Sequence, residues 1–320
     1  MRQYSGVSRR SGQPARWRVG WKGNISWKQL AKTVWRELDQ DDVFGRAAQL
    51  SYFFLLSLFP LLIFLSVLLG YIAHGGNILR DMLGYLADIL PPAAFILVRK
   101  TLVQITNSAG GGKLSIGIIV TLWAASNGMW ALIGGIHAAY EIREERPWWK
   151  VQILAMVLTI AFAVLIICAL ALALIGQHVG HYLAAVEGWG DKFATAWSII
   201  QWPLVILFVL VAVSLLYRYA PNIRVQKWRW IFPGAIVAVI IWLAVVWGLR
   251  AYLHFFNTYD KFYGSLGAVI ILMLWLYLSG VAILTGAEVN SEMEHAAAIA
   301  GHPRAKRNGE KYPGELIHRT

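Results

Sequence analysis

The sequence predicts an all-α polytopic membrane protein: six transmembrane helices, amphipathic helices at the interface, and both termini cytoplasmic. Three observations lead there. Hydrophobic residues make up 58% of the 320-residue chain, and the mean hydropathy is +0.54. Six apolar runs, at 47–73, 114–140, 151–176, 196–217, 231–249 and 265–287, each come close to the roughly 20 residues that a helix needs to cross the hydrocarbon layer. Lysine and arginine alternate between the connecting segments: 22 fall in 1–46, 141–150, 218–230 and 288–320, against seven in 74–113, 177–195 and 250–264. Because cytoplasmic loops carry the excess of basic residues, the first set is assigned to the inside.

The net charge of +12 follows the same division. Twelve of the 17 acidic residues lie in the basic segments, which leaves the inner surface positive and suited to anionic lipid headgroups. Nucleic acid is not an expected partner, since 16 tryptophans and an apolar majority accompany no RNP, zinc-finger or helix-turn-helix pattern. The single cysteine, Cys168, falls inside the third run and excludes an intramolecular disulfide. Residues 1–24 lack the apolar core of a signal peptide, so the spans themselves are expected to direct insertion.

Taken in order, residues 1–24 form a basic tail with Arg9, Arg10, Arg16, Arg18 and Lys22, too poor in apolar residues to offset the entropy of ordering. The membrane domain is 25–295, and 296–320 is a polar C-terminal tail. Trp27, Leu30, Ala31, Val34, Trp35 and Leu38 recur at helical spacing opposite Lys28, Lys32 and Arg36, the pattern of an interfacial helix. Between the first two runs, Leu79, Met82, Leu83, Leu86, Ile89 and Leu90 repeat every three or four residues up to Pro91-Pro92. A second amphipathic piece spans 95–105 before the glycines at 110–112. Both read as outer-face helices, because counting either as a span would invert the charge asymmetry.

Several residues interrupt the apolar runs. Pro60, with Ser57 nearby, removes a backbone donor in the first run; the kink is either satisfied locally or a hinge in a broken helix. Ala124, Gly128, Ala131 and Gly135 form a small-residue seam in the second run, with Asn127 and His137 as polar members expected to hydrogen-bond between helices. Arg218 ends the fourth run just before Pro221, either snorkelling or pairing with Glu288 beyond the sixth run. Tyr259, Tyr263 and Gly264 lie in the connection between the last two runs, where tyrosines suit the interface and glycine allows an unusual backbone.

Four ordered blocks carry a resemblance. Ala48-Gln49-Leu50-Ser51-Tyr52-Phe53 with Ser57-Leu58-Phe59-Pro60 is the first, and Leu216-Tyr217-Arg218-Tyr219-Ala220-Pro221-Asn222 the second. Tyr263-Gly264-Ser265-Leu266-Gly267 and Gly286-Ala287-Glu288-Val289-Asn290 complete the set. Over about 30–295, the chain resembles the YihY/BrkB family of bacterial inner-membrane proteins. The resemblance implies a six-span inner-membrane protein in a family without an established biochemical activity, proposed to act in transport or envelope maintenance. The residue patterns and these blocks together mark Pro60, Arg218, Pro221, Asn222, Tyr259, Tyr263, Gly264, Glu288 and Asn290 as candidate functional residues.

That family also carries an old ribonuclease label, which the residues do not support. The eight histidines form no H-x-H-x-D-H or H-E-x-x-H cluster, and a hydrolytic metal site needs such a first shell with an open position. No Walker A sequence occurs, and no cofactor is expected. Two readings remain: a transporter or flippase-like protein for a lipid, amphiphile or small solute, and a structural or assembly protein of the envelope without transport. In the first, Pro60 is a hinge, Arg218 a headgroup or gating cation with Glu288 its counter-ion, and Tyr259 and Tyr263 stand at the outer mouth. Partners are membrane lipids, with a second copy of the chain or another envelope protein as further partners. A wet, polar cavity favours transport and a dry bundle favours assembly.

Overall fold

The computed structural model describes residues 27–72, 99, 111–186, 190–223, 227–255, 265–302, 305–307, 309 and 310. Among them all regular structure is helical, in seven helices: α1 Trp27–Gln40, α2 Val43–Ile72, α3 Gly111–Ala139, α4 Trp148–Val186, α5 Gly190–Tyr219, α6 Trp228–Phe255 and α7 Ser265–Ile299. Segments 148–173, 195–219, 228–252 and 269–299, on the last four helices, are long and apolar enough to cross a membrane. The basic tail 1–24, the outer amphipathic segments (apart from Arg99) and the connection with Tyr259, Tyr263 and Gly264 lie outside the described residues.

Helices α2 to α7 form a ring in chain order, each packing on the next and α7 returning to α2, while α3 also touches α7. Exposed apolar side chains recur at steps of three and four along the outer faces. On α4 these are Ile153, Val157, Ile160 and Val164, and on α5 Ile199, Trp202 and Ile206. Such stripes are what a helix presents to lipid, where apolar exposure carries no penalty. The small-residue seam of α3 packs inside the chain: a Cβ on Gly128 would meet Phe54 and Ser57 of α2, and one on Gly135 would meet Leu284 of α7. Pro60 is half-buried in a helix that continues through it. The nearby Ser57 hydroxyl accepts the Gly128 N–H at 2.9 Å, so Ser57 fastens α2 to α3.

The structure adds detail to two expectations. Helix α1 does lie at the end of the bundle, but its apolar face is docked on protein. Leu30, Val34 and Leu38 are buried, and the helix packs on α7 and α2. Trp35 instead is 72% exposed, on the surface that also carries Lys28, Lys32 and Arg36. The boundary placed at 296 falls inside α7, whose 35 residues span about 52 Å at 1.5 Å per residue, well beyond the hydrocarbon layer. Gly301, with φ 82°, then ends the helix in a left-handed turn, with the His302 N–H donating to Ala297 O at 3.0 Å. Residues 305–307, 309 and 310 lie back on the bundle, where the Gly309 N–H reaches Tyr140 O at 3.3 Å.

Candidate functional site

Both described ends of the chain meet the α3–α4 and α5–α6 connections at one end of the ring, called here the polar end. Three sets of polar groups gather there. The first lies at the α1–α2 corner. Asp42, at φ 51°, turns the chain and caps α2 by accepting the Gly45 N–H at 3.2 Å. This places Asp41 beside Glu288 of α7. Burial raises the Asp41 pKa to about 6, against the lowering effect of the Glu288 side chain, with Glu141 and Glu37 raising it further and Arg46 lowering it. Glu288 is 1% exposed, and its Oε1 has no hydrogen-bond partner. Among the described residues Arg218 and Glu288 form no ion pair with each other. Arg218 is half-buried, and among the described residues no ion pair is formed by it.

The second set joins α6 to α7. Gly234 and Gly286 face each other so closely that a Cβ on either would strike the other's carbonyl oxygen. Asn290, one turn beyond Gly286, accepts the Gly234 N–H with Oδ1 at 2.7 Å. Tyr217 of α5 is fully buried, and its hydroxyl donates to Ile283 O at 2.6 Å. A Cβ on Gly286 would also meet that hydroxyl. Glycine is required here by the approach of two backbones, as in small-residue contacts of membrane helices generally. Asn290 is thus a clamp between helices.

The third set staples the two connections together. His137 Nδ1 lies 2.7 Å from Ile133 O, which assigns its proton there and leaves Nε2 to accept the Asn222 N–H at 3.1 Å. Glu144 Oε2 stands 3.2 Å from the same Nε2. Arg146 holds Glu144 at 2.6 and 2.9 Å and donates to Ala220 O at 2.8 Å. Burial pushes the Glu144 pKa up, but the side-chain and backbone hydrogen bonds from Arg146, with the Arg146 charge, bring it below the ordinary carboxylate value. Pro221 and Asn222 are therefore the far side of a staple: Pro221 ends α5, and Asn222 supplies the N–H that His137 receives. On α7, Glu294 pairs with Lys306 of the returning segment at 2.9 Å, both almost wholly buried.

Sequence reasoning missed Asp41, Gly234, Arg146 with Glu144, and Lys306. Pro233-Gly234 just inside a predicted span was the one local signal among them, since glycine in a helix interior has a cost that needs a reason. The others become visible only when distant segments meet. An apolar crevice between α3, α4 and α5, lined by Met129, Leu158, Phe162, Leu165, Ala212 and Leu216, has room for no more than about one water molecule. Among the described residues no three His, Cys, Asp or Glu side chains converge as metal ligands.

Comparison with known proteins now adds what geometry alone does not give. Residues 34–310 match the family described as Virulence factor BrkB. The chain belongs to the BrkB family. Its matched stretch begins in α1 and ends at Glu310, so the returning segment with Lys306 is part of the BrkB unit. YfkH of Bacillus subtilis, whose name calls it ribonuclease-like, is 39% identical over 247 residues, 77% of this chain and 88% of YfkH. The UPF0761 membrane protein Smlt0865 of Stenotrophomonas maltophilia is 30% identical over 273 residues, 82% of this chain. The UPF0761 membrane protein XAC0937 of Xanthomonas axonopodis pv. citri is 30% identical over 304 residues, 90% of this chain. The chain spans 60% and 66% of the lengths of these two longer relatives. No solved structure matches. Of the blocks that carried the BrkB resemblance, the second and fourth meet in space, where the Tyr217 hydroxyl lies against Gly286.

Proposed function

We propose that this BrkB protein is a transporter or flippase-like protein that moves a lipid, an amphiphile or a small solute, without enzymatic activity. It would sit in the bacterial inner membrane with six spans and both termini cytoplasmic, so that the polar end faces the cytoplasm. The observation that carries this reading is Glu288, buried with an unpartnered oxygen on a helix apolar enough to span. Ionisable groups are expensive in such helices and mark pathways for substrates and ions. The half-buried Arg218, at the same end of α5, is then the cation that meets an anionic headgroup, Pro60 the hinge in α2, and Tyr259 with Tyr263 the outer mouth.

A second reading, assembly of an envelope complex without transport, is favoured by the narrow apolar crevice and the dense stapling of the polar end. Partners would then be another copy of the chain or an envelope protein. Reconstitution separates the two. Purified protein in vesicles with fluorescent phospholipid in both leaflets should let an impermeant quencher reach inner-leaflet label over time, and the change Arg218→Gln should slow this. Label protected as fully as in protein-free vesicles would remove lipid transport and leave the assembly reading.

A further inference from the structure

We infer that the start of α6 is a headgroup site for an anionic phospholipid, with Lys227 and Arg229 on the phosphate and the exposed stripe of the same helix along an acyl chain. The stripe sets the depth. Trp228, Phe232, Ile236 and Ile240 are exposed at steps of four, and Trp247 follows after seven more residues. From Trp228 to Trp247 the helix rises about 28 Å at 1.5 Å per residue, close to the thickness of the hydrocarbon layer. Tryptophans gather at the two membrane–water boundaries, so Trp228 and the two cations beside it lie at headgroup level.

The Arg229 side chain is mounted on a platform. Its guanidinium lies over the Trp230 ring, 4.5 Å from the centroid, and that indole is buried. Trp230 packs on Ala297 of α7 and Ala305 of the returning segment, with the His302 ring edge-on to it at 6.2 Å. A guanidinium stacked face-down keeps its N–H donors at the rim, in the fork that matches two phosphate oxygens. Among the described residues neither Lys227 nor Arg229 forms an ion pair, which leaves both charges to a ligand. Segment 218–230 holds four basic residues and no acidic one. A net negative headgroup therefore suits it better than a zwitterion, whose ammonium finds no counter-charge in that segment. At the start of α4, Lys150 lies 5.3 Å over Trp149, but that indole is itself 48% exposed and gives no fixed platform. The site does not use Arg218 and does not rest on the transport reading.

A photoactivatable benzophenone amino acid in place of Phe232, one turn along from Trp228, samples the lipid at the site. The full chain is placed in nanodiscs of equal parts phosphatidylglycerol and phosphatidylcholine and irradiated, and its lipid adducts are counted by mass spectrometry. Phosphatidylglycerol adducts should exceed phosphatidylcholine adducts about fivefold or more, the worth of one basic residue at the headgroup layer. The preference should fall to near parity when Lys227→Gln and Arg229→Gln are combined. It should persist when Arg143→Gln and Lys150→Gln are combined, which removes the same charge from the α3–α4 connection and the start of α4. Equal adducts in the parent chain, or a preference that survives the loss of Lys227 and Arg229, overturns the inference. An equal loss in the Arg143 and Lys150 pair overturns it too, because general surface charge would then explain the preference. If the preference appears while vesicles show no lipid movement, the headgroup site stands and the transport reading falls.

Discussion

The polar end of the ring and the α4–α5 face are held by different forces. At the polar end, hydrogen bonds join segments far apart in sequence, Asn290 to Gly234, His137 to Asn222 and Arg146 to Ala220, and the ion pair of Lys306 with Glu294 returns the C-terminal segment to α7. Along α4 and α5 the contacts are between apolar side chains around a narrow crevice, and the outer stripe faces lipid. The hydrogen bond from Gln152 to Ser126, 2.7 Å, ties α4 to α3 near its start, at this same polar end. Directional bonds fix one geometry, whereas apolar contacts in lipid tolerate sliding, because the tails are as apolar as the side chains they replace. The difference makes the polar end the region whose geometry is fixed by directional bonds, and the α4–α5 face the one held by apolar packing.

Substitutions should separate the two regions by size of effect. The largest loss is expected at the α6–α7 crossing. Gly286→Val leaves no place for its Cβ between Tyr217 and Gly234 and should cost about 3 kcal/mol or more, read by reversible unfolding in mixed micelles. Gly134, where a Cβ meets nothing, is the control, and Gly134→Ala should change stability little; equal losses would mean that backbone approach is not what selects glycine at 286. Next comes the buried ion pair. Lys306→Met strands Glu294 and should cost about 3 kcal/mol, while the double change to Glu294→Leu and Lys306→Met recovers most of it.

Asn290→Ala should cost about 1 kcal/mol, the range found for hydrogen bonds between membrane helices, and a neutral result would reduce the clamp to a bystander. The weakest effect is electrostatic. Because the Glu144 pKa is lowered chiefly by the hydrogen bonds from Arg146, its contribution is present above its unfolded value and disappears as pH falls through the lower folded one. Acidification below about pH 4.5 should therefore loosen the α3–α4 connection in hydrogen exchange, and Glu144→Gln should remove that dependence. Loosening that persists in Glu144→Gln would assign it to another group.

Much of the architecture was legible in the chain because lipid imposes a simple rule: a helix must supply its own backbone hydrogen bonds and about 20 apolar residues. Each described helix from α2 to α7 coincides with one apolar run for that reason. The seam at Gly128 and Gly135 was legible too, since small residues at steps of three and four mean close helices. The site was not. Glu288 and Asn290 stood out as polar residues after an apolar run, but nothing local says that Glu288 meets Asp41 from 247 positions earlier. Arg218 was open to snorkelling or to pairing with Glu288 because both lie at the same end; the short α1–α2 corner, which brings Asp41 near Glu288, left no periodic signal. Trp35 was assigned to the apolar face by its spacing, yet tertiary docking chose Leu30, Val34 and Leu38 and left the indole outside.

The most direct test of the transport reading is a structure of the full chain in a phospholipid bilayer, inspected between α2, α5 and α7. Elongated density entering between these helices, with its head at Arg218 or Glu288, is the predicted result, and it would identify a lipid or amphiphile as the cargo. A closed interior without such density, in bilayers where annular lipids are resolved on the α4–α5 stripe, would contradict transport and move the protein to the assembly reading.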